Sequence, residues 1–367
     1  MYPKLIIDLN KLNHNIKYLI KLTSGANVHL TAITKMHLAN RRIVALLNSF
    51  DEIKHFGDSR IQNLKKYPPT TKKKILIRIP MKCEVLDVVR HSDISFNSEM
   101  ATILLLDAAA KSENIVHQVV LMVDLGDLRE GYFNQSELLD AVAQIKELAH
   151  IELYGIAVNL MCYGGIIPTQ THFEEMAKLA RAVESVNGKA LQMVSGGNSS
   201  GLYLLEDGIE IPVNDLRIGD GMFTGETSYG QQFEQMYRDV LEIWGQIIEV
   251  KVKPSYPIGE IGVDAFGAVP TFLDRGERLR VIVALGRQDI TVDGVFPKDG
   301  KMEILGASSD HLIIDVTDCE KCYQVGDVIG FHLHYGAALQ AFTSEFVAKE
   351  YIEIKGAKKD EYKTTSK

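Results

Sequence analysis

The 367-residue sequence is poor in cysteine and in long apolar runs, and each shortage excludes a class of protein. Its four cysteines are too few and too scattered for a disulfide framework, so we expect reduced thiols. Cys319 and Cys322 form a CxxC, but no second pair or set of histidine ligands accompanies them, and we predict no metal site. No apolar run approaches the ~20 residues that cross a bilayer, so we predict no membrane segment.

A block of positive charge and an amino-terminal signal are also missing. The net charge is −8, and basic residues cluster only in the short Lys72–Lys74 run and in the tail. This distribution argues against nucleic acid as a partner. The first residues, MYPKLIIDLNK, lack the hydrophobic stretch of a signal peptide, and we expect a cytoplasmic protein. The composition that remains, with 46% hydrophobic and 24% charged residues, is that of a globular protein.

Short strand-like runs alternate with amphipathic helical patterns through the first part of the chain. This alternation predicts an α/β fold, a (β/α)8 TIM-type barrel over residues 1–235. A doubly wound parallel sheet is the alternative. The eight runs are residues 30–34, 53–56, 74–79, 93–96, 118–123, 153–158, 191–194 and 215–218.

The pattern changes near residue 236. A further helical stretch over residues 234–244 leads into short strand-like runs separated by glycine, proline and aspartate. We therefore predict a second, smaller C-terminal β domain over residues 236–367. The last dozen residues are charged and nearly devoid of apolar side chains, which predicts a solvated tail.

Selective groups follow the predicted strands, at the edge where a barrel carries its active site. Lys35 follows the first strand, and the glycine-rich turns Ser195–Ser200 and Arg217–Gly221 follow the last two. Backbone N–H groups and serine hydroxyls in such turns bind phosphate. A lysine that faces a phosphate site favours pyridoxal 5'-phosphate as cofactor, because its aldehyde forms a Schiff base with lysine. The plainer alternatives are a surface lysine and two tight turns.

These segments resemble the alanine-racemase-type (fold type III) pyridoxal phosphate enzymes, and within them they are most similar to the ornithine racemase subgroup. The resemblance covers nearly the whole chain and is most specific in MVDLGDLREG, CYGGIIPT, SGGNSSGL, LRIGDG, IGEIGVDAFG and LGASSDHLIIDVTD. It implies a racemase that interconverts L- and D-amino acids through a Lys35 Schiff base and two-base proton transfer at Cα. It also implies a homodimer in which each C-terminal domain completes the partner subunit's active site. Ornithine or another basic amino acid is the implied substrate.

The resemblance also assigns roles to individual residues. Ser199 matches the serine that holds the phosphate, with backbone donors beside it. Arg217 matches the arginine that faces the pyridine nitrogen, and Arg129 matches the one that orients the substrate-carboxylate region. The predicted cofactor contacts are Lys35, Asn198, Ser199, Arg217, Gly219, Asp220 and Tyr351, and the predicted substrate contacts are Arg129, Asn159 and Asp310.

Several positions depart from the family's pattern. Ala39 stands where a phosphate-contacting tyrosine is usual, and Asn159 stands where a histidine packs on the cofactor ring. The tyrosine that serves as second acid/base is missing, and Asp264 takes its position. We predict Asp264 as the second catalytic residue, with a structural turn cap as the alternative. Tyr351 matches a second phosphate-contacting tyrosine, with Tyr335 as its competitor.

Two other functions are alternatives. A pyridoxal-phosphate-dependent decarboxylase of a basic amino acid would share the fold. Such enzymes, however, place a glutamate where Arg217 stands and carry a cysteine-containing motif where this chain has GASSDH. A non-catalytic pyridoxal-phosphate-binding protein is a single barrel, whereas a second domain is predicted here.

Overall fold

The computed structural model describes residues 1–227 and 230–353. The strands are β1 (Lys4–Asp8), β2 (His29–Ile33), β3 (His55–Asp58), β4 (Lys73–Leu76), β5 (Ile94–Asn97), β6 (His117–Val123), β7 (Ile151–Val158), β8 (Met193–Ser195), β9 (Asp215–Ile218), β10 (Leu241–Pro254), β11 (Glu277–Val283), β12 (Val295–Pro297), β13 (Glu303–Ala307), β14 (Leu312–Asp315), β15 (Val328–Leu333) and β16 (Ala348–Ile352). The α-helices are α1 (Leu9–Gly25), α2 (Arg41–Asn48), α3 (Ile61–Leu64), α4 (Val85–His91), α5 (Met100–Ser112), α6 (Gln135–Lys146), α7 (Gln170–Asn187), α8 (Leu202–Glu206), α9 (Gly221–Thr224) and α10 (Tyr335–Thr343).

Strands β2 to β9 close into a parallel barrel, with a helix after each strand. Each of the eight predicted runs overlaps one barrel strand, and the prediction of a (β/α)8 barrel with a C-terminal β domain is confirmed. All residues of β3, β5 and β9 are buried. A strand covered by helices outside and by side chains inside is buried on both faces, so its polar residues are buried together with its apolar ones.

Helix α7 illustrates how a helix of the outer layer buries one apolar face. Phe173, Met176 and Val183 are among its buried residues and lie on one face at helical spacing. The helix ends at Gly188, whose φ of +75° is left-handed and whose N–H bonds the carbonyl of Glu184. The amphipathic spacing of this segment therefore belongs to a barrel helix, as the alternation of strand-like and helical patterns predicts.

The second sheet has eight strands, in the order β12-β15-β10-β11-β14-β13, and β1 and β16 extend it from β10. The helical stretch predicted over residues 234–244 is wrong, because Leu241–Trp244 opens the long strand β10. These residues pair with β1 on one side and with β15 on the other, and this pairing overrides the local helical spacing.

The chain contacts divide the described residues into two compact units. One contains residues 1–11 and 238–353, and the other contains residues 12–227 and 230–237. The first strand therefore groups with the second sheet, through its antiparallel pairing with β10 and its parallel pairing with β16. The predicted solvated tail lies outside the described residues. No helix in the described ranges is long and apolar enough to span a membrane.

Candidate active site

Lys35 lies in the turn between β2 and α2, at the carboxyl end of the barrel. Leu38 and Ala39 in this turn have φ angles of +54° and +53°, which side-chain-bearing residues rarely adopt. The turn ends at Asn40, whose side chain accepts from the N–H groups of the first turn of α2. Strained backbone held between a strand and a capped helix is typical of a functional turn.

The surroundings of Lys35 favour its neutral amine. Burial lowers the pKa of Lys35 below its usual value, and two neighbouring guanidiniums, Arg129 and Arg217, lower it further. Cys162 and Asp58 act in the opposite direction and do not outweigh burial. An amine that loses its proton closer to neutral pH is a better nucleophile and base than a surface lysine.

Arg217 is held rigidly inside the barrel. Its side chain projects from β9, and the residue is 5% exposed. Nη1 donates to the hydroxyl of Ser195 at 2.7 Å, and Nη2 donates to the carbonyl of Val158 at 2.7 Å. The guanidinium also lies 5.2 Å from the ring centre of Phe96. These contacts leave it one orientation at the carboxyl end of the strands.

The structure brings together the predicted substrate residues Arg129 and Asn159. With its amide oxygen turned toward Arg129, Asn159 accepts from Nη2 at 2.7 Å and from Nη1 at 3.0 Å. The opposite orientation offers only 3.4 Å contacts with Arg217 and Asn198, so the first is favoured. Arg129 also pairs with Glu130. Asn159 thus orients the guanidinium of Arg129.

The turns after β8 and β9 meet closely. The N–H of Gly221 donates to the hydroxyl of Ser199 at 3.3 Å. A Cβ at position 221 would lie 3.1 Å from the Cβ of Ser199, so a glycine permits this approach. A Cβ at Gly219 would likewise lie 3.1 Å from the Cβ of Ile33 on β2. Asn198 shapes the first turn by accepting from the N–H of Ser200 at 2.9 Å.

Asp220 belongs to the turn after β9 and lies within the electrostatic field of Lys35. Its oxygen Oδ1 is buried and accepts no hydrogen bond from any described residue. Burial raises the pKa of Asp220 to about 7, with Glu226 acting in the same direction and Lys35 opposing it. Below that pH the carboxyl is protonated and can donate a hydrogen bond.

Asp127 is a structural residue of the site that the sequence reasoning missed. Its buried carboxylate accepts from the N–H of Tyr163 at 2.9 Å and from that of Cys162 at 3.3 Å. It therefore ties the loop that carries Arg129 to the loop after β7. Its position in VDLGDLREG after a strand was the available signal, but its burial could not be read from the sequence.

Asp58, at the end of β3, was also missed as an individual residue. It is fully buried and accepts from the hydroxyl of Thr34 at 2.7 Å and from the amide of Asn63 at 3.0 Å. Because Thr34 directly precedes Lys35, this network fixes the start of the lysine turn. The only signal in the sequence was the position of residues 57–60, GDSR, directly after the predicted strand over residues 53–56.

Three predicted site residues lie in the other unit. Asp264 accepts from the N–H groups of Phe266 and Ala268 at 2.8 and 2.9 Å, the geometry of a turn cap, and these bonds lower its pKa. Asp310 is exposed and pairs with Nδ1 of His311 at 2.7 Å, which lowers its pKa too. Tyr351 lies on β16. Their roles at an active site stay predictions.

Comparison with known proteins gives consistent matches. The family described as alanine racemase, N-terminal domain, matches residues 7–227. The chain is 48% identical to an ornithine racemase of Acetoanaerobium sticklandii over 96% of this chain and 100% of that protein. It is 36% identical to a lysine racemase of Thermotoga maritima, over 96% and 99%.

Solved structures show the same fold. An alanine racemase from Bartonella henselae with covalently bound pyridoxal phosphate has a TM-score of 0.74 and 17% identity, covering 96% of this chain and all of that one. An alanine racemase from a D-cycloserine-producing Streptomyces lavendulae has a TM-score of 0.72 and 16% identity, covering 96% and 98%.

Proposed function

Because the chain belongs to the alanine racemase family, we propose that it is a pyridoxal-phosphate-dependent racemase that interconverts the L and D forms of a basic amino acid. The observation that carries this proposal is the position of Lys35. Its amine has a lowered pKa and lies in the electrostatic field of Arg129 and Arg217, at the carboxyl end of a barrel. Ornithine is the first candidate substrate and lysine the second, after the names of the two relatives.

The residues at the strand ends fit pyridoxal phosphate. Lys35 would hold the cofactor covalently through its amine. The Ser199 hydroxyl and the backbone around Gly219 would hold the phosphate, with the buried, unbonded oxygen of Asp220 beside it. The fixed guanidinium of Arg217 would face the ring nitrogen. When bound, this cofactor draws electrons from the substrate's Cα and makes its proton removable.

The chain's own residues would then bind and move protons. When the amine of Lys35 does not hold the cofactor, its lowered pKa would let it take the Cα proton on one side of the substrate or return it. Arg129, oriented by Asn159, binds the substrate carboxylate. Arg217 gives up its own proton with difficulty, because a guanidinium stays protonated in proteins, so it leaves the ring a weaker electron acceptor. A ring that accepts electrons weakly favours proton exchange at Cα over transamination.

Racemisation also needs a group on the second side of Cα. We keep Asp264 of the partner subunit as the candidate. Within one chain its carboxylate caps a turn and its pKa is lowered, so it would need a partly buried environment in the assembly to serve as a base.

We further propose a homodimer, with the chain in the cytoplasm as the sequence predicts. The segment around Asp264 supports the dimer. Ile258 is 92% exposed, and Val263, Val269 and Leu273 are each more than 60% exposed. Apolar side chains exposed along one stretch mark an interaction surface.

The test is a panel of L-amino acids incubated with holoenzyme and analysed by chiral chromatography and for carbon dioxide. We expect the D form of ornithine or lysine and no carbon dioxide. Release of carbon dioxide would support a decarboxylase instead, and cofactor binding without turnover would support a binding protein. Lys35→Ala should abolish racemisation and the absorption band of the bound cofactor. An active Lys35→Ala variant would contradict the proposed chemistry.

A further inference from the structure

A buried carboxylate lies behind Arg217, inside the barrel. Asp215 is 1% exposed. One of its oxygens accepts from the hydroxyl of Ser195 at 2.5 Å, and the other accepts from that of Thr31 at 2.5 Å. Ser195 in turn accepts from Nη1 of Arg217 at 2.7 Å. The hydroxyl of Ser195 therefore links a buried anion to a buried cation.

Strand geometry explains why these groups meet. Residues 215 and 217 are two apart on β9 and project to the same side of the strand. Ser195 lies opposite Asp215 on β8, and Thr31 lies opposite Arg217 on β2. The four side chains therefore converge within the barrel. The carboxylate of Asp215 lies nearer the amino end of β9 than the guanidinium of Arg217 does.

Packing alone does not require a charged side chain at position 215. A charge in a protein interior is costly unless another charge or several hydrogen bonds compensate it. Burial lowers the pKa of Arg217, and Asp215 is the strongest of the charges that oppose this effect. The barrel interior thus holds two charges of opposite sign that compensate each other. The carboxylate of Asp215 is at the start of β9 and not at the carboxyl end of the strands.

We propose that Asp215 is a positioning residue for the reaction: through Ser195 it holds the guanidinium of Arg217 in place and balances its charge. The consequence is that Arg217 presents one orientation and a reduced positive field to the cofactor ring. This inference rests on the proposed function, because it concerns Arg217 as the residue that faces the ring.

Other charged groups surround this pair, and the test must separate them from Asp215. Around Arg217 they are Lys35 after β2, Arg129 and Glu130 after β6, and Cys162 after β7. Around Asp215 they are His55 on β3 and Tyr154 on β7. None of these is altered by the substitutions used below.

The first variant is Asp215→Asn, which keeps the shape of the side chain and removes its charge. Loss of a negative charge disfavours protonated forms nearby. We therefore expect the pH midpoint of the bound cofactor's absorption change to fall by about one pH unit. The nitrogen-15 signal of a ring-labelled cofactor should move as well. We expect kcat to fall about tenfold or more with a smaller change in KM.

The second variant is Ser195→Ala, which keeps the charge and removes the link. It should shift the midpoint in the same direction by a smaller amount, because the carboxylate remains. The matched control is Ser95→Ala. Ser95 is also a fully buried barrel serine, hydrogen-bonded to His117 and Asn97, and it has no contact with Arg217 in the described structure. It should leave the midpoint and the nitrogen-15 signal unchanged.

The proposal is overturned if Asp215→Asn leaves the midpoint within about 0.2 of a pH unit and the nitrogen-15 signal in place. It is also overturned if Ser95→Ala shifts them equally, since the effect would then be general. Should Asp215→Asn not fold, an unchanged signal in Ser195→Ala overturns it.

The proposed function fails separately. Wild-type chain that binds the cofactor but racemises no amino acid refutes the activity, while the spectroscopic comparison still judges Asp215. Wild-type chain that binds no cofactor refutes both proposals.

Discussion

Replacing Asp220 with asparagine should stabilise the cofactor-free protein at neutral pH and have little effect at acidic pH. The carboxyl has one buried oxygen without a hydrogen bond, so the ionised form is costly in the folded chain. Burial raises the pKa from 3.8 to about 7. Since the residue is not fully buried, solvent screens part of the effect, and we expect a cost of about 2–4 kcal/mol for ionisation.

The sign follows from proton binding. Between 3.8 and about 7 the unfolded chain has lost this proton while the folded chain retains it. Wild-type stability therefore falls as pH rises through this window and is level above it. Asparagine has no proton to lose. The advantage of Asp220→Asn should grow from near zero at about pH 4 to about 2–4 kcal/mol above about pH 7.

The assay is urea unfolding of cofactor-free wild type and Asp220→Asn across this pH range, at one protein concentration. Asp51→Asn, at an exposed site, is the control and should show no trend of this kind. An advantage that is constant with pH, or that shrinks as pH rises, would refute the assignment of a buried, unsatisfied carboxylate.

Three further predictions concern the assembled site. Mixing Lys35→Ala chains with Asp264→Ala chains should restore activity, because each heterodimer then contains one intact site, and no recovery would count against a shared site. With Asp264→Asn, solvent deuterium exchange should slow mainly for one enantiomer, whereas equal slowing of both by less than about tenfold would move the second-base role elsewhere. Cys162, which lies in the electrostatic field of Lys35, should be alkylated about tenfold more slowly when pyridoxal phosphate is bound, whereas the rate at exposed Cys83 should not change. A rate at Cys162 that cofactor binding leaves unchanged would place this thiol outside the cofactor site.

The barrel was readable from the sequence because its signals are local. Most of the buried parallel strands contain a short apolar stretch, and the crossover helices are amphipathic, so the eight strands and the helices between them leave their own patterns. Lys35 could be placed at a strand end for the same reason. Segments whose structure depends on a distant partner were misread. Leu241–Trp244 has helical spacing, yet it is a strand because β1 and β15 pair with it.

The charges of the site were decided by tertiary structure alone. In the structure Asp127 ties two loops together, Asp215 balances a buried arginine, and Asp220 has a pKa raised to about 7. The sequence around these three residues does not distinguish them from surface carboxylates. Each role depends on a local dielectric and on partners that come from other strands of the closed barrel. The residue types at the strand ends were therefore determined by the sequence, whereas their protonation and mutual orientation arise only when the barrel closes around them.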